Sequence, residues 1–405
     1  MVAPTSFFSD YGGHIRILEE ARVLKKMGHR VTVLTYYQGK DVPGLDIVRT
    51  RPTPWRADYE VGSSLHKIAF DALLGWTGLR TVLGRRFDII HGHMHEGALI
   101  GYVLSRVRGA PLVFDFQGSL TGEMVDHAFL NEEGVWYPWV RLLEQRIDRL
   151  PDAIVTSSRM AAELLETDFN CSRDCVVALP DCVDLDFFRP DVIDGEEILR
   201  RKAAYGIPHD RPVVVYLGLL ADYQGTPLLV QAAQELKRRC VDAQFLIMGF
   251  PGEDEYRRMA EEMGVGDRLV FTGRVPYEEA PAYLALGDIA VAPKLSLTEG
   301  AGKILNYMAM GLPTVAFDTP VSREYLGDLG VYANQIGDAA ALADSIAALL
   351  QAPARRVELG RELRALAGHR FSWDDAGRVL SGVYRNLLVD KGRDAKRRPN
   401  THDTV

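Results

Sequence analysis

The sequence predicts an α/β protein made of two doubly wound parallel-sheet domains. Short apolar segments alternate with amphipathic helical segments along most of the 405 residues. Most of the apolar segments are near-continuous runs of Val, Ile and Leu, which is typical of strands buried on both faces. Strands that alternate with helices favour parallel sheets with right-handed crossovers, and two such series favour two domains.

The two series of predicted strands are separated by a break near 188–207, which contains Pro190 and the charged segment 191–202. Residues 1–8 are expected to hold the end of a first strand. Amphipathic helices are predicted over 15–27, which Gly28 would stop, and over 227–239. The predicted strands are 31–35, 88–91, 112–116, 153–157 and 176–179 in the first series, and 213–217, 244–248, 269–272, 289–292 and 314–317 in the second.

The predicted domain organisation follows from this order. Residues 1–190 form an N-terminal Rossmann-like domain and residues 191–371 form a C-terminal one. A helix at 372–389 comes after the second series and is expected to cross back to the first domain. The segment 390–405 is polar, has no hydrophobic periodicity and predicts a disordered tail.

Composition narrows the classes of function. The net charge of -8 argues against non-specific nucleic-acid binding, which needs a basic face. No apolar run of about eighteen residues and no signal-peptide pattern are present, so the protein is expected in the cytoplasm. The four cysteines lack the second Cys or His pair of a zinc site, so reduced thiols are predicted for Cys171, Cys175, Cys182 and Cys240.

Candidate site residues are sought in the loops after the strands, because open parallel sheets bind ligands at the C-terminal ends of their strands. Gly12 and Gly13 precede a helix that begins near His14. Without side chains, the two glycines let a ligand approach the N–H groups of the helix start; an ordinary tight turn is the alternative.

Three histidines, His91, His93 and His95, follow the 88–91 strand together with Glu96. No further ligand cluster accompanies them in the sequence, so a metal site is not favoured. A polar cleft wall is the preferred interpretation, in which one histidine orients an acceptor or contacts a phosphate.

The strand at 112–116 brings a carboxylate, Asp115, to its end, and Gln117 follows it. A carboxylate is expensive to bury without a partner, so a functional or hydrogen-bonded role is predicted for Asp115.

The segment 292–318 carries the strongest signal for a ligand site. A strand is followed by a loop with Gly300 and Gly302 and then by a helix whose N-terminal N–H groups and dipole suit a diphosphate. Lys294 and Lys303 add positive charge, and Asn306 lies one turn into the helix, where it would reach a ribose. The spacing is not that of a Walker motif.

The run from Lys303 to Asp318 resembles the donor-site helix and following strand of glycosyltransferase family 4, a group of retaining enzymes with the GT-B fold. The resemblance extends over most of the chain, through the Gly12-Gly13 loop and the segments 27–31, 153–158, 179–184 and 371–373. It implies a nucleotide-diphosphate sugar donor on the second domain and a glycan or lipid-linked acceptor on the first. It also implies that no metal and no separate cofactor are needed, because N–H groups and cationic side chains stabilise the leaving diphosphate.

The resemblance also implies roles for individual residues. Thr298 and Glu299 would bond the hydroxyls of the transferred sugar, and the base would stack near Val275 or Tyr277. The expected catalytic residues are Asp115, Gln117, His93 and Glu299. The expected donor-binding residues are Gly12, Gly13, Lys294, Thr298, Glu299, Gly300, Ala301, Gly302, Lys303 and Asn306.

Three positions depart from the family pattern. The loop 218–225 lacks the Arg and Lys that the family often has there, Thr298 and Asn306 match the usual pair of glutamates, and Gln117 matches a frequent His. Lys294 and Lys303 could replace the missing cations, which favours an active enzyme with a rearranged donor site. A catalytically silent relative that binds a nucleotide or a partner, or a sugar-nucleotide epimerase, are the alternatives.

The segment 65–87 combines apolar residues at helical spacing with Trp76 and several basic residues, Lys67, Arg80, Arg85 and Arg86. A crossover helix that packs on the sheet is the preferred interpretation. A basic amphipathic helix with an interfacial Trp is also compatible with peripheral contact to the inner membrane face.

Overall fold

The computed structural model of the chain describes residues 1–8, 12–52, 65–126, 129–295 and 300–397. Apart from a short stretch around Gly12, they separate into two compact units. One unit holds the chain up to Pro180 together with the chain from Asp374, and the other holds Asp181–Trp373.

The first unit is an α/β sandwich whose sheet has the strand order β3-β2-β1-β4-β5-β6-β7, with every neighbouring pair parallel. Its elements are β1 Val2–Ala3, α1 Gly12–Lys26, β2 Thr32–Thr35, β3 Asp46–Arg49, α2 Leu65–Gly84, β4 Ile90–His93, α3 Met94–Arg108, β5 Leu112–Phe116, α4 Leu120–Asp126, α5 Tyr137–Asp148, β6 Ala153–Thr156, α6 Arg159–Thr167 and β7 Val176–Ala178.

The second unit repeats this architecture with the strand order β10-β9-β8-β11-β12-β13, again all parallel. Its elements are α7 Gly195–Ala204, β8 Val213–Leu217, α8 Thr226–Arg238, β9 Gln244–Met248, α9 Glu253–Glu262, β10 Leu269–Phe271, α10 Ala280–Leu284, β11 Ile289–Ala292, α11 Lys303–Ala309, β12 Thr314–Phe317, α12 Pro320–Leu326, β13 Val331–Ala333, α13 Ala339–Leu350 and α14 Pro353–Arg370.

These two doubly wound sheets confirm the predicted fold class. The strand order reverses between β1 and β4 in the first sheet and between β8 and β11 in the second. Ligands of such sheets bind outside the carboxyl ends of the strands at this reversal, so a ligand site is expected among the residues that follow these strands.

Two strands were not predicted from the sequence, β3 and β13. Both lie at the edge of their sheet, and most of their residues are half-buried. An edge strand covers less apolar surface than a central one, so the continuous apolar run that identifies the inner strands is missing from Asp46–Arg49.

The segment 181–190, predicted to close the first domain, groups with the second unit. The Val183 N–H donates to the carbonyl of Phe371 at 2.9 Å. Arg364 on α14 donates to the carbonyls of Leu185 and Phe188 at 3.0 and 2.8 Å. These bonds join residues that are far apart in sequence, so the local sequence pattern does not indicate that 181–190 belong to the second unit.

The C-terminal helix α15 spans Trp373–Arg397. The prediction of a disordered tail is therefore wrong for 390–397, while 398–405 lie outside the described residues. Extending an existing helix needs no new nucleus, so a polar segment without periodicity continues it readily. No helix among the described residues is both long and apolar enough to cross a membrane.

Candidate functional site

Asp115 stands at the carboxyl end of β5 with no exposed surface. Arg16 on α1 donates from Nε to Oδ1 at 2.9 Å, His93 lies with Nδ1 2.9 Å from Oδ2, and Gln117 donates from Nε2 to Oδ2 at 2.8 Å. Burial alone would raise the pKa of Asp115, but the Arg16 charge and the His93 bond outweigh it and hold the pKa well below its usual range. Asp115 is thus an ionised anchor for three side chains.

His93 is equally buried, and burial, together with the nearby Arg16 charge, lowers its pKa although Asp115 acts to raise it. The neutral ring carries its proton on Nδ1, because the carboxylate of Asp115 can only accept. His91 stacks on His93 with ring centroids 4.6 Å apart and bonds Tyr384 of α15 through Nδ1 at 2.6 Å. The expectation that these histidines line a cleft wall is wrong, since His91, His93 and His95 are all buried.

Gln117 is the half-buried member of this group. An ideal Cβ on Gly13 would lie 2.7 Å from Gln117 Oε1, so the glycine leaves room for the amide. Gly12 is exposed, with nothing within 4 Å of its Cβ position. The two glycines therefore have different surroundings, and Gly13 is the one that adjoins Gln117.

In the second unit, Lys303 begins α11 and points toward the carboxyl end of β8. Its Nζ donates to Tyr216 Oη at 3.0 Å and to Gln224 Oε1 at 2.8 Å, and it lies 4.3 Å from the centroid of the Tyr216 ring. A Cβ on Gly218 would lie 2.6 Å from this Nζ. The ammonium group thus lies at the 218–225 loop. The family pattern often has an Arg and a Lys in this loop, and this chain lacks both.

Lys294 follows β11 and is buried, and its Nζ donates to the carbonyl of Gly300 at 2.9 Å. This bond ties the two described ends of the glycine-containing loop together. Thr298 and Glu299 lie outside the described residues. Gly302 is half-buried, and its Cβ position is 3.5 Å from Asp181 Oδ2.

Three other predicted positions, Asn306, Tyr277 and Ala301, differ in burial. Asn306 is half-buried on α11, while the next residue, Tyr307, is buried and accepts a bond from the Leu217 N–H at 2.8 Å. Tyr277, predicted to lie near the base, is buried with its ring 5.1 Å from that of Phe187, so protein already covers it. Ala301 is also buried.

The partners of the predicted site residues were not among the residues predicted from the sequence. Arg16, Tyr216 and Gln224 hold Asp115 and Lys303 but lie far from them along the chain. A single Arg in a helix and a single Gln in a loop carry no motif, so nothing in the local pattern could have selected them.

Comparison with known proteins identifies the family of the chain. Residues 12–187 match the family model described as Glycosyltransferase Family 4, and residues 211–352 match the one described as Glycosyl transferases group 1. The D-inositol 3-phosphate glycosyltransferase 1 of Catenulispora acidiphila is 27% identical over 94% of this chain and 92% of its own.

Solved structures show the same fold. Sucrose-phosphate synthase from Thermosynechococcus elongatus superposes with a TM-score of 0.80 over 96% of this chain and 98% of its own, at 18% identity. Anabaena HepE in complex with UDP-glucose superposes with a TM-score of 0.74 over 95% and 98%, at 14% identity.

The two parallel sheets and these matches define a glycosyltransferase with the GT-B fold. The chain belongs to glycosyltransferase family 4.

Proposed function

We propose that this enzyme transfers a sugar from a nucleotide-diphosphate donor to a glycan or lipid-linked acceptor, with retention of anomeric configuration and without a metal at the diphosphate. The observation that carries the proposal is the position of Lys303 Nζ beside Gly218. A fixed cation at the carboxyl end of the central strand stabilises a leaving diphosphate without reorganisation during the reaction.

Lys303 replaces, from α11, the cations that the 218–225 loop lacks. Gln224 and Tyr216 orient its ammonium group, and Gly218 leaves the space beside it without a side chain. Lys294 acts on the other side by bracing the loop through the Gly300 carbonyl. The proposed donor site therefore has one cation that contacts phosphate and one that supports the loop. The complex of HepE with UDP-glucose is consistent with this donor class.

Retention by same-face attack is the proposed stereochemical course. Asp115 is held by Arg16, His93 and Gln117, and a carboxylate so engaged is a poor nucleophile. In this proposal Gln117 contacts the substrate, and Asp115 and His93 position it. Thr298, Glu299 and Asn306 keep their proposed roles at the sugar and ribose.

The donor proposal is tested by calorimetric titration of UDP, GDP and ADP into the wild-type chain and into Lys303→Met. We expect one nucleotide to bind the wild type and the variant to lose about ten-fold or more in affinity, because a charge-assisted contact is removed. Added Mg²⁺ should leave the affinity unchanged.

Lys237→Met is the matched control, because Lys237 pairs with the exposed Asp267 on the same unit. Equal affinity of Lys303→Met and wild type for every nucleotide, or no binding to the wild type, would overturn the proposal. Donor hydrolysis measured with and without acceptor separates transfer from epimerisation.

Peripheral membrane contact through α2, at the inner face of the membrane, is the second part of the proposal. Phe70 and Leu74 are buried, whereas Ile68, Trp76 and Leu83 are 67%, 60% and 75% exposed. An apolar, Trp-containing outer face suits an interface with lipid. We expect the chain to co-sediment with anionic vesicles and Trp76→Gln to weaken this; equal sedimentation of both proteins would remove the assignment.

A further inference from the structure

A second group of buried titratable side chains lies in the first unit, away from Asp115. His95 stands in the first turn of α3, and Glu144 and Asp148 are four residues apart on α5, which places them on one face of that helix. His95 Nε2 lies 3.3 Å from Asp148 Oδ1 and 3.7 Å from Glu144 Oε1. One ligand atom of each residue falls within 4.8 Å of the others.

These distances match a metal site. Bonds of about 2.1 Å from a cation to nitrogen and oxygen place neighbouring ligand atoms of a tetrahedral site about 3.4 Å apart. The sequence showed only the histidine half of this site, since the two carboxylates come from α5, well beyond the His91–His95 segment.

Three polar atoms of the cluster also lack a hydrogen-bond donor or acceptor. His95, Glu144 and Asp148 are 5%, 0% and 1% exposed. Neither oxygen of Asp148 nor Nε2 of His95 makes a hydrogen bond among the described residues, and their nearest charged neighbours are each other, 3.3 Å apart. Buried carboxylate oxygens are costly without a donor, so atoms left in this way and aimed at one point indicate a ligand.

Glu144 is oriented as metal-binding carboxylates usually are. It accepts from the Leu120 N–H at 2.7 Å and from the Thr121 N–H at 3.1 Å, and the Thr121 hydroxyl also bonds it. Such supporting bonds fix a ligating carboxylate in place. They also connect the cluster to the first turn of α4, which follows the loop that carries Gln117.

The charges of these three side chains also favour a bound cation. The cluster brings two carboxylates and one imidazole together, with one ligand atom of each within 4.8 Å of the others. Two carboxylates thus share one imidazole, whose proton would balance only one of them, while Arg141 on the same helix is paired with Asp168. A divalent cation would balance both.

The other histidine pair of this unit does not form an equivalent site. The rings of His91 and His93 are stacked, with 19° between their planes, so their in-plane lone pairs run side by side and cannot meet at one ion. Glu20, beside them, is paired with Arg16 at 3.2 Å. That pair belongs to the Asp115 network.

We propose that His95, Glu144 and Asp148 bind a structural divalent transition cation of the Zn²⁺ class, which ties α3 to α5 and steadies the loop after β5. One imidazole with two carboxylates suits Zn²⁺, Co²⁺, Mn²⁺ or Fe²⁺ better than Ca²⁺ or Cu⁺. The buried position fits a structural role in the first unit, separate from the diphosphate site.

The test uses the untagged full chain, stripped with a chelator, reloaded with Zn²⁺ or Co²⁺ and passed through gel filtration. We expect the wild type to retain about one Zn²⁺ per chain by elemental analysis and the Co²⁺ form to show visible d–d absorption. His95→Gln and Asp148→Asn should lose both signals. Asp168→Asn, a nearby carboxylate that pairs with Arg141, should keep them.

Thermal unfolding gives a second readout. Zn²⁺ should raise the Tm of the wild type and of Asp168→Asn, but not that of Asp148→Asn. If the cluster variants do not fold, the wild type decides alone. No retained cation and no Tm change between stripped and reloaded protein would overturn the proposal and leave a protonated His95 between the carboxylates. Equal retention by wild type and Asp148→Asn would also overturn it.

Discussion

At the residue scale, Asp115 shows how one buried charge can organise several polar groups. Its carboxylate takes hydrogen bonds from Arg16, His93 and Gln117, which come from α1, β4 and the loop after β5. Arg16 also donates to the carbonyl of Leu179 at 3.1 Å, after β7. Removing one partner of such a pair leaves the other charge buried and uncompensated.

We therefore predict that Asp115→Asn lowers the free energy of unfolding by about 3–5 kcal/mol at neutral pH. The folded pKa of Asp115 is depressed, so its stabilisation is complete above the unfolded pKa of about 3.9 and is lost as the pH falls below that value. The deficit of the variant should shrink in the same range. Urea unfolding of both proteins across pH measures it.

Asp46→Asn is the control, because Asp46 pairs with Arg85 at the surface and should cost at most about 1 kcal/mol. A deficit of Asp115→Asn that stays constant down to pH 3 would contradict the assigned charge state.

At the element scale, α11 reaches its position because α14 packs backbone to backbone against its end. A Cβ on Gly360 of α14 would lie 2.0 Å from the carbonyl oxygen of Gly311, which follows α11 with φ of 67°. Only a residue without a side chain allows this approach. Since α11 begins with Lys303, the contact also sets the position of the proposed phosphate-binding cation.

Gly360→Ala should accordingly destabilise the protein by about 2–3 kcal/mol, because the opposing atom is backbone and cannot rotate away. Gly368→Ala, on the same helix, places its Cβ 3.6 Å from a Leu185 methyl group and should be neutral or stabilising by up to about 1 kcal/mol. Denaturant midpoints of the two variants make the comparison; similar midpoints would show that α11 and α14 do not approach this closely.

At the scale of the whole molecule, the two units differ in how the chain builds them. The second unit is formed almost entirely by one continuous segment, Asp181–Trp373, and has its own apolar core around Phe245, Ile247 and Val291. The first unit needs α15, whose Tyr384 bonds the buried His91 and whose Asp374 pairs with Lys26.

This difference predicts that a fragment of residues 181–373 folds alone with a cooperative transition and keeps the nucleotide affinity of the full chain, since Lys303 and its partners lie within it. A fragment of residues 1–180 should remain unfolded or aggregate, because it lacks α15. Circular dichroism and calorimetry on both fragments check this; an unfolded 181–373 fragment would show that its core is insufficient by itself.

Local pattern was enough to identify the inner strands, the helices near 15–27, 65–87 and 227–239, and the glycine-containing loop before Lys303. These features depend on apolar runs, helical spacing and glycines, all of which act over a few residues. The edge strands β3 and β13 were missed because they are short and mostly half-buried. The extension of α15 to Arg397 was missed because the segment is polar and has no hydrophobic periodicity.

Only the tertiary structure determined which side chains contact one another. Asp115 was identified from the chain, but its ion pair with Arg16 spans 99 residues. The three histidines of the segment 91–95 belong to two different clusters. Glu20 of α1 lies beside His91 and His93, whereas Glu144 and Asp148 of α5 lie beside His95. Periodicity assigns a residue to an element, whereas long-range packing assigns it its partners, and the charge state of a buried group depends on those partners.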